Sequence, residues 1–367
     1  MILTVVFYIF VVFTVIQIVY YLTFSSFLFK EKKKNQSLNQ VPISVIIFAK
    51  NSASALKNNL PFILAQNYFK FEVVLINNVS TDNTPAVLED FAAQNSNIKI
   101  IDVDNNEAFW GSKKYALTLG IKAAKYEHIL FTEASSEPLS EFWIDEMSKQ
   151  FTQTKTIILG YGKYKKENTL TNFFIRFENL LTAIQCFSFA KLGHPFMAFA
   201  SNFGYEKSEF FNVKGFINHM KINEGEADLF IKDAATKENV SFSVSNNSFV
   251  EIETPKSFGK WIQKLRINNS LKKHYKFKHR FLLNFFTFSK VLFYVLATVL
   301  FFFYPWQIML PIVLTYFFIQ YIIIGLSAKK LKEPYLIFLL PFLEIGLLLI
   351  QISIFSANLI SKPNHWK

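Results

Sequence analysis

Cysteine is almost absent from this chain, whose 367 residues include only Cys186. A single thiol excludes an intramolecular disulfide framework and any zinc site built from several cysteines. We therefore expect the part of the chain outside a membrane to be cytoplasmic. Charged residues are also scarce, at 18%, whereas 51% of the residues are hydrophobic and 44 are Phe. This composition is too apolar for an ordinary soluble protein of this length, so part of the chain is expected in a membrane.

Acidic residues are the scarcer charged class. The sequence has 39 Lys and Arg against 27 Asp and Glu, a net charge of +12. A basic surface can bind nucleic acid, but in so apolar a chain the membrane surface is the favoured anionic partner, and no nucleic-acid partner is predicted.

Four stretches are long enough to cross a bilayer, which takes about 20 apolar residues. Residues 1–29 contain no charged side chain and are predicted to be an uncleaved transmembrane anchor, since a cleavable signal peptide has a basic start and a shorter apolar core. Three more predicted spans occupy residues 281–358, at Phe281–Phe303, Gln307–Leu326 and Tyr335–Asn358.

Basic clusters predict the orientation of these spans. Lys30–Lys34, Lys272–Arg280 and Lys329–Lys332 flank them, and positive loops remain in the cytoplasm. Two lysines near the C-terminal end count against this orientation, but more weakly.

Lys290 and Glu344 lie inside predicted spans, where a charge needs a partner, and we expect Glu344 to make a structural hydrogen bond to a neighbouring helix. Two buried charges offer little polar pathway for a transporter.

Residues 41–271 alternate between strand and helix patterns, which predicts an α/β domain with a mostly parallel sheet. Ligands bind such sheets beyond the carboxyl ends of the strands, here at Ala49–Ser52, Asn77–Asp82 and Thr132–Pro138. The sequence contains no GxGxxG dinucleotide motif after its first strand and no P-loop lysine motif.

Seven blocks follow one another along the chain: Val45–Asn51, Glu72–Thr84, Lys113–Ile121, Ile129–Ser135, Ser201–Tyr205, Gly225–Leu229 and Gln263–Ile267. In this order they resemble the family 2 glycosyltransferases, which have the GT-A fold, a Rossmann-like nucleotide-diphospho-sugar transferase fold. The last block is similar to the QxxRW motif of membrane-bound members, with Ile267 in place of the Trp.

The resemblance implies a nucleotide-sugar donor site. Its candidate residues are Asn51, Asn77, Asn78, Lys113, Lys114, Glu133 and Ser135. The two amides that end the second strand stand where the family usually has acidic residues near the base, and an amide can still donate to and accept from a uracil-like edge. An Asx turn that starts the next loop explains them equally well.

A divalent cation, Mg²⁺ or Mn²⁺, is a further implication of the resemblance. Glu133 and Ser135 occupy the family's Asp-x-Asp positions, and residues two apart in an extended segment face the same side. Ser135 offers only a hydroxyl where a hard cation prefers a carboxylate. Asp228 or Glu137 could supply the missing carboxylate, or Lys113 and Lys114 could neutralise the diphosphate without metal.

Glu226 and Asp228 are the candidate catalytic residues, with Glu226 at the position of the family's catalytic Asp. On local grounds alone, both would be favourable first-turn charges of the helix expected over Leu229–Ala235. Gln263 and Arg266, with Trp261, are implied to close over the diphosphate and acceptor. A helix lying on the membrane surface would also explain the basic stretch Lys260–Arg266, which contains these residues.

Together these patterns predict a membrane-embedded glycosyltransferase of the cell envelope, in the inner membrane with its catalytic domain in the cytoplasm. The resemblance implies an inverting transfer from a nucleotide sugar to a lipid or glycan acceptor delivered at the bilayer. The alternative is a catalytically silent homologue that serves as a nucleotide-sugar-binding or scaffold membrane protein, because Asn77, Asn78, Ser135 and Gly225 are neutral where the family is usually acidic.

Overall fold

The computed structural model describes residues 1–29, 40–103 and 113–361. Within them the chain forms two compact units. The sheet unit comprises residues 40–103, 113–167 and 193–256, and the helical unit comprises residues 1–29, 168–192 and 257–361. The basic cluster Lys30–Lys34 and the two C-terminal lysines, Lys362 and Lys367, lie outside the described residues.

The strands of the described chain all lie in the sheet unit. They are β1 (Ile43–Ala49), β2 (Phe71–Asn78), β3 (Ile98–Val103), β4 (His128–Glu133), β5 (Ser136–Pro138), β6 (Ile157–Leu159), β7 (Gly162–Tyr164), β8 (Phe203–Glu206), β9 (Val240–Phe242) and β10 (Val250–Ile252).

The α-helices are divided between the two units. They are α1 (Ile2–Phe24), α2 (Ala53–Leu64), α3 (Thr84–Gln94), α4 (Lys113–Ala123), α5 (Trp143–Ser148), α6 (Leu170–Lys191), α7 (Lys207–Asn212), α8 (Glu226–Ala234), α9 (Phe258–Leu271), α10 (Phe277–Phe303), α11 (Trp306–Lys330) and α12 (Leu340–Ile360).

In the described part of the sheet unit, a seven-stranded sheet has the order β3-β2-β1-β4-β8-β6-β9. The first four strands along this order are parallel, and both β1 and β2 are nearly continuous apolar runs buried on both faces, as expected of a parallel sheet covered by helices. The α/β fold class predicted from the sequence is confirmed.

The sheet departs from the parallel pattern beyond β4. Strand β8 pairs antiparallel with both β4 and β6. It therefore lies between them in the sheet, although β6 comes before β8 in the sequence. Gly204 permits this close insertion, because a Cβ on it would lie 2.5 Å from the carbonyl oxygen of Ile129. A small second sheet has the order β5-β10-β7.

In the helical unit, four segments of the described chain are long and apolar enough to cross a membrane: Ile2–Leu28, Phe277–Phe303, Trp306–Lys330 and Pro334–Ile360. They coincide with the four predicted spans, and the last is a 3₁₀ helix (Pro334–Leu339) followed by α12. Two further helices, α6 and α9, belong to the same unit, although both fall within the predicted domain 41–271. Both helices carry buried apolar side chains, such as Phe177 and Leu180 on α6 and Trp261 on α9, and the Trp261 ring stacks on Phe174 of α6.

Glu344 is the centre of a buried polar network that joins the four spans. Its carboxylate accepts hydrogen bonds from Lys290 Nζ on α10 at 2.7 Å and Tyr21 Oη on α1 at 3.0 Å. Tyr294 Oη donates to it at 3.1 Å, and Gln320 Nε2 on α11 also donates. The expected structural hydrogen bond of Glu344 is confirmed, and the same carboxylate pairs with Lys290.

Candidate active site

The carboxyl ends of β1, β2 and β4 meet at one edge of the large sheet. Ala49 lies opposite Asn77 in the register of β1 with β2, and Phe48 lies opposite Glu133 in the register of β1 with β4. The three loops chosen from the sequence therefore lie side by side, as parallel pairing requires.

Asn51 joins two of these loops. Its backbone has φ +50°, a left-handed conformation that Asn tolerates better than most residues, and its Oδ1 accepts from the backbone N–H of Thr81 at 2.8 Å. Its own N–H donates to Ser80 Oγ at 3.1 Å. The side chain predicted to bind the donor thus has a loop-bridging role in the structure.

Asn77 and Asn78 are both buried at the end of β2. Asn77 Nδ2 donates to Asp102 Oδ1 on the neighbouring strand β3 at 2.8 Å, while within the described residues Asn77 Oδ1 accepts no hydrogen bond. Asp102 was missed in the sequence. The signal was present, since it is the only acidic residue of β3 and stands next to its carboxyl end.

A cleft opens beside these strand ends. Its polar lining consists of Lys50, Ser52, Lys113, Thr132, Glu133, Ser135 and Glu226, and its apolar wall includes Phe48, Phe131, Phe203, Tyr205, Phe216 and Phe230. Glu133 and Ser135 therefore face the same cavity as Glu226, which follows them by about ninety residues in the sequence. The aromatic wall was not foreseen, because its members come from β1, β4, β8, α8 and a connecting loop.

Glu226 lies between two lysines. Its Oε2 is 3.7 Å from Lys113 Nζ and its Oε1 is 3.7 Å from Lys114 Nζ. The carboxylate is 9% exposed, so it lies at the floor of the cleft, whereas Lys113 is 35% exposed and its Nζ lies 5.5 Å from the centre of the Phe48 ring.

Lys114 is buried and holds the chain that leads to Glu226. Its Nζ donates to the carbonyl oxygens of Ile222 and, at 3.1 Å, Glu224. Burial lowers the pKa of Lys114, and the adjacent Glu226 carboxylate opposes that shift. The prediction treated Lys113 and Lys114 alike, but only Lys113 lines the cleft.

Glu226 is the first residue of α8 and not part of a loop before it, so the expected helix start at Leu229 is wrong by three residues. Gly225, with φ +82°, supplies the left-handed turn that precedes the helix, and the acidic first turn favours an earlier start. Asp228, two residues further along α8, accepts a hydrogen bond from the backbone N–H of Ala198 at 3.4 Å. It thereby supports a loop.

His219 fixes the same region from the other side. Its Nε2 lies 2.6 Å from Asp233 Oδ2 on α8, and the ring is buried. This contact gives His219 a structural role, because it links the segment before Gly225 to the helix that carries Glu226.

The fit of a divalent cation depends on the donor atoms at the end of β4. Glu133 offers one carboxylate and Ser135 one hydroxyl, whereas Mg²⁺ and Ca²⁺ take six or more oxygen ligands. Across residues 1–29, 40–103 and 113–361, no group of three or more His, Cys, Asp or Glu side chains is arranged to hold a metal ion. The donor set does not fit a metal held by protein ligands alone.

The three residues predicted for the diphosphate and acceptor lie on α9, in the helical unit. The Trp261 ring is buried and stacks on Phe174 with centroids 6.4 Å apart. Arg266 donates from Nε to Asn358 Oδ1 and from Nη2 to the Ser361 carbonyl oxygen, both at 2.9 Å. Gln263 lies on the same helix, and the catalytic role of all three stays a prediction.

Comparison with known proteins matches part of the chain to a known family. Residues 44–226 match the model of the family described as glycosyl transferase family 2. The chain is 32% identical over 117 residues to a poly-beta-1,6-N-acetyl-D-glucosamine synthase of Staphylococcus epidermidis, covering 30% of this chain and 27% of that one. It is 25% identical to glycosyltransferase GlyG of Streptococcus pneumoniae, over 36% of this chain and 42% of that one. The match thus spans less than half the length of each relative.

A solved structure shares the fold over most of the chain. It is the mannosyltransferase PcManGT of Pyrobaculum calidifontis in complex with GDP-Man and Mn²⁺, with a TM-score of 0.58 and 12% identity. The alignment covers 92% of this chain and 97% of that one. The GT-A fold is therefore established for this chain.

Proposed function

The chain carries a family 2 glycosyltransferase domain on a GT-A fold, and from this premise we propose that it is a membrane-embedded glycosyltransferase. It transfers a sugar from a nucleotide-sugar donor to a lipid or glycan acceptor delivered at the bilayer. The observation that carries the proposal is Glu226, a buried carboxylate that lines the cleft at the strand ends between Lys113 and Lys114.

The proposed reaction is a direct displacement with inversion. An acceptor hydroxyl oxygen forms a bond to the anomeric carbon of the donor while the bond from that carbon to the diphosphate oxygen breaks. The nucleoside diphosphate leaves with the electron pair, and Glu226 accepts the hydroxyl proton. That proton becomes strongly acidic only as the new bond forms, so a carboxylate within hydrogen-bond reach can accept it late in the step.

The two lysines have different proposed roles. Lys113 is partly exposed in the cleft, so its ammonium can stabilise the negative charge that develops on the leaving diphosphate. Lys114 is a positioning residue, since its ammonium is used by two backbone carbonyls and by Glu226. A misplacement of about 1 Å at such a site can cost roughly 10²-fold in rate, so a buried cation that fixes Glu226 in place would affect turnover.

The proposal gives Gln263, Arg266 and Trp261 the acceptor or diphosphate role that the family resemblance implies. Asn51, Asn77, Asn78 and Glu133 are proposed to bind the donor, and Asp102 is added to them because it shares a hydrogen bond with Asn77. Asp228 is reassigned to loop support.

We propose that the sheet unit lies in the cytoplasm and the helical unit in the cell inner membrane, because the basic clusters Lys272–Arg280 and Lys329–Lys332 flank the spans. Protease added to sealed inverted vesicles is then expected to digest the sheet unit, and protease added to right-side-out cells is expected to leave it intact. Protection in the inverted vesicles would contradict the orientation.

The test of the function is a donor screen with the purified full chain, which measures nucleoside diphosphate release with and without Mg²⁺ or Mn²⁺. We expect one class of nucleotide sugar to be turned over, with weak metal dependence because Ser135 contributes a neutral ligand. Ser135→Asp adds a carboxylate beside Glu133 and is expected to tighten Mn²⁺ binding about tenfold, measured by electron paramagnetic resonance.

Thr154→Asp, on an exposed turn of the same unit, is the matched control for added charge. Unchanged Mn²⁺ affinity in Ser135→Asp would show that Ser135 does not occupy a metal-facing position. Binding of a nucleotide sugar without any turnover would instead favour the catalytically silent homologue.

A further inference from the structure

A groove of about 290 Å³ runs along the first three turns of α10. Its lining residues all come from this helix and are Phe277, Arg280, Phe281, Asn284, Phe285 and Phe288. The opposite face of the helix is buried by packing, through Leu283, Phe286, Ser289, Lys290 and Phe293. The groove therefore lies on the outward face of a span, at the end that carries the basic cluster.

One side of the groove is a row of aromatic rings. Phe277, Phe281 and Phe285 follow one another at intervals of four residues, with ring centroids 6.3 and 5.5 Å apart. Phe277 and Phe281 are 72% and 52% exposed. Such a row offers a smooth apolar surface against which an acyl chain can lie.

The other side is polar, which is unusual for the outward face of a membrane helix. Arg280 and Asn284 are four residues apart and share one face. Asn284 is exposed, and among the residues that the structure describes its amide has no hydrogen-bond partner. An amide in this position is costly in hydrocarbon unless an occupant of the groove pairs with it.

Charge identifies the kind of occupant. The segment Leu271–Phe288 contains five Lys and Arg and no acidic residue. Arg280 packs over the Phe277 ring at 5.7 Å and donates to the Lys273 carbonyl oxygen at 3.4 Å, and within the described chain no carboxylate pairs with it. Its remaining donors suit a phosphate.

We propose that this groove is a binding site for an anionic membrane phospholipid. The lipid phosphate binds Arg280, the glycerol ester region pairs with Asn284, and one acyl chain lies along Phe285 and Phe288. The order of these contacts along α10, from the basic end inward, matches the order of phosphate, ester and acyl chain in a leaflet. The inference is independent of the proposed transfer reaction.

Native mass spectrometry of the full chain, titrated with phosphatidylglycerol or phosphatidylcholine of matched acyl chains, tests the site. The native protein is expected to bind phosphatidylglycerol more tightly. Arg280→Gln is expected to weaken phosphatidylglycerol binding about five-fold and phosphatidylcholine binding less, because the choline cation offsets the phosphate charge of phosphatidylcholine. Asn284→Leu is expected to weaken both lipids, because both carry the ester groups.

Lys329→Gln is the matched control, since it removes one exposed cation from another basic cluster that flanks the spans. An equal loss in Lys329→Gln and Arg280→Gln would reduce the effect to general charge attraction and overturn the site. Equal binding of the two lipids by the native protein would also overturn it. A shift in oligomeric state of Phe281→Ala, which alters an exposed ring, would assign the groove to a second copy of the chain.

Discussion

Glu226→Gln is expected to lower the rate of sugar transfer by about 10²–10⁴-fold, the usual contribution of general base catalysis. The amide keeps the size of the side chain and an oxygen that can still accept from Lys113 and Lys114, but it cannot take up a proton. Donor binding should therefore persist. Turnover by nucleoside diphosphate release and donor affinity by calorimetry measure the two effects separately.

Asp228→Asn is the matched control for the Glu226 experiment. Asp228 lies in the same turn of α8, but its carboxylate accepts from the Ala198 N–H, which an Asn side chain can also satisfy. We expect Asp228→Asn to retain most of its activity. Normal turnover by Glu226→Gln, or an equal loss in both variants with donor binding intact, would contradict the assignment.

Lys114→Met tests positioning as distinct from base catalysis. It removes the contacts to the Ile222 and Glu224 carbonyls together with the cation beside Glu226. Lys114→Arg keeps the positive charge. If it turns over faster than Lys114→Met, the charge of Lys114 matters and not only its volume. The Lys114 variants help to explain the Glu226→Gln result, because Lys113, Lys114 and Glu226 lie together and their effects on turnover are coupled.

Removal of one partner of the Lys290–Glu344 pair is expected to give a large loss of stability in the helical unit. Glu344→Leu leaves the Lys290 ammonium buried without its carboxylate, and breaking buried ion pairs costs about 3–5 kcal/mol in soluble proteins. Lys290→Met/Glu344→Leu removes both charges and is expected to recover most of that loss. Unfolding in mixed micelles measures the change in the free energy of unfolding.

Gln351→Leu is the control for this cycle, because Gln351 is a partly exposed polar residue two turns further along α12. Its replacement is expected to change stability by no more than about 0.5 kcal/mol. If the double variant is as unstable as the sum of the single variants, Lys290 and Glu344 are not coupled and the network does not depend on their charges.

Much of the fold followed from local patterns in the sequence. Apolar runs of about 20 residues with at most one charge have few alternatives to membrane spans. Buried runs such as Val45–Phe48 and Val73–Ile76 that alternate with helices imply a parallel sheet. The insertion of β8 beside β4 was beyond this reasoning. It depends on non-local pairing, which no periodicity along the chain encodes.

The sequence predicted which residues belong to the candidate site better than it predicted their arrangement. The order of blocks singled out Glu133, Ser135 and Glu226, and the structure brings all three to one cleft. The different functions of Lys113 and Lys114 could not be predicted from the sequence. Adjacent helical residues point about 100° apart, and only tertiary packing decides which of the two is buried. Asp102 was missed because a single acidic residue in a short strand resembles an ordinary surface position.

The placement of α6 has a consequence for the order in which the protein assembles during synthesis. The chain leaves the sheet unit after β7, contributes α6 to the helical unit and returns with β8, which pairs with β4. The ribosome must therefore deliver residues beyond α6 before the central sheet can be completed. A fragment spanning residues 41–256 would carry α6 with its apolar side exposed to water. We therefore expect that fragment to aggregate when it is synthesised without the remaining helices.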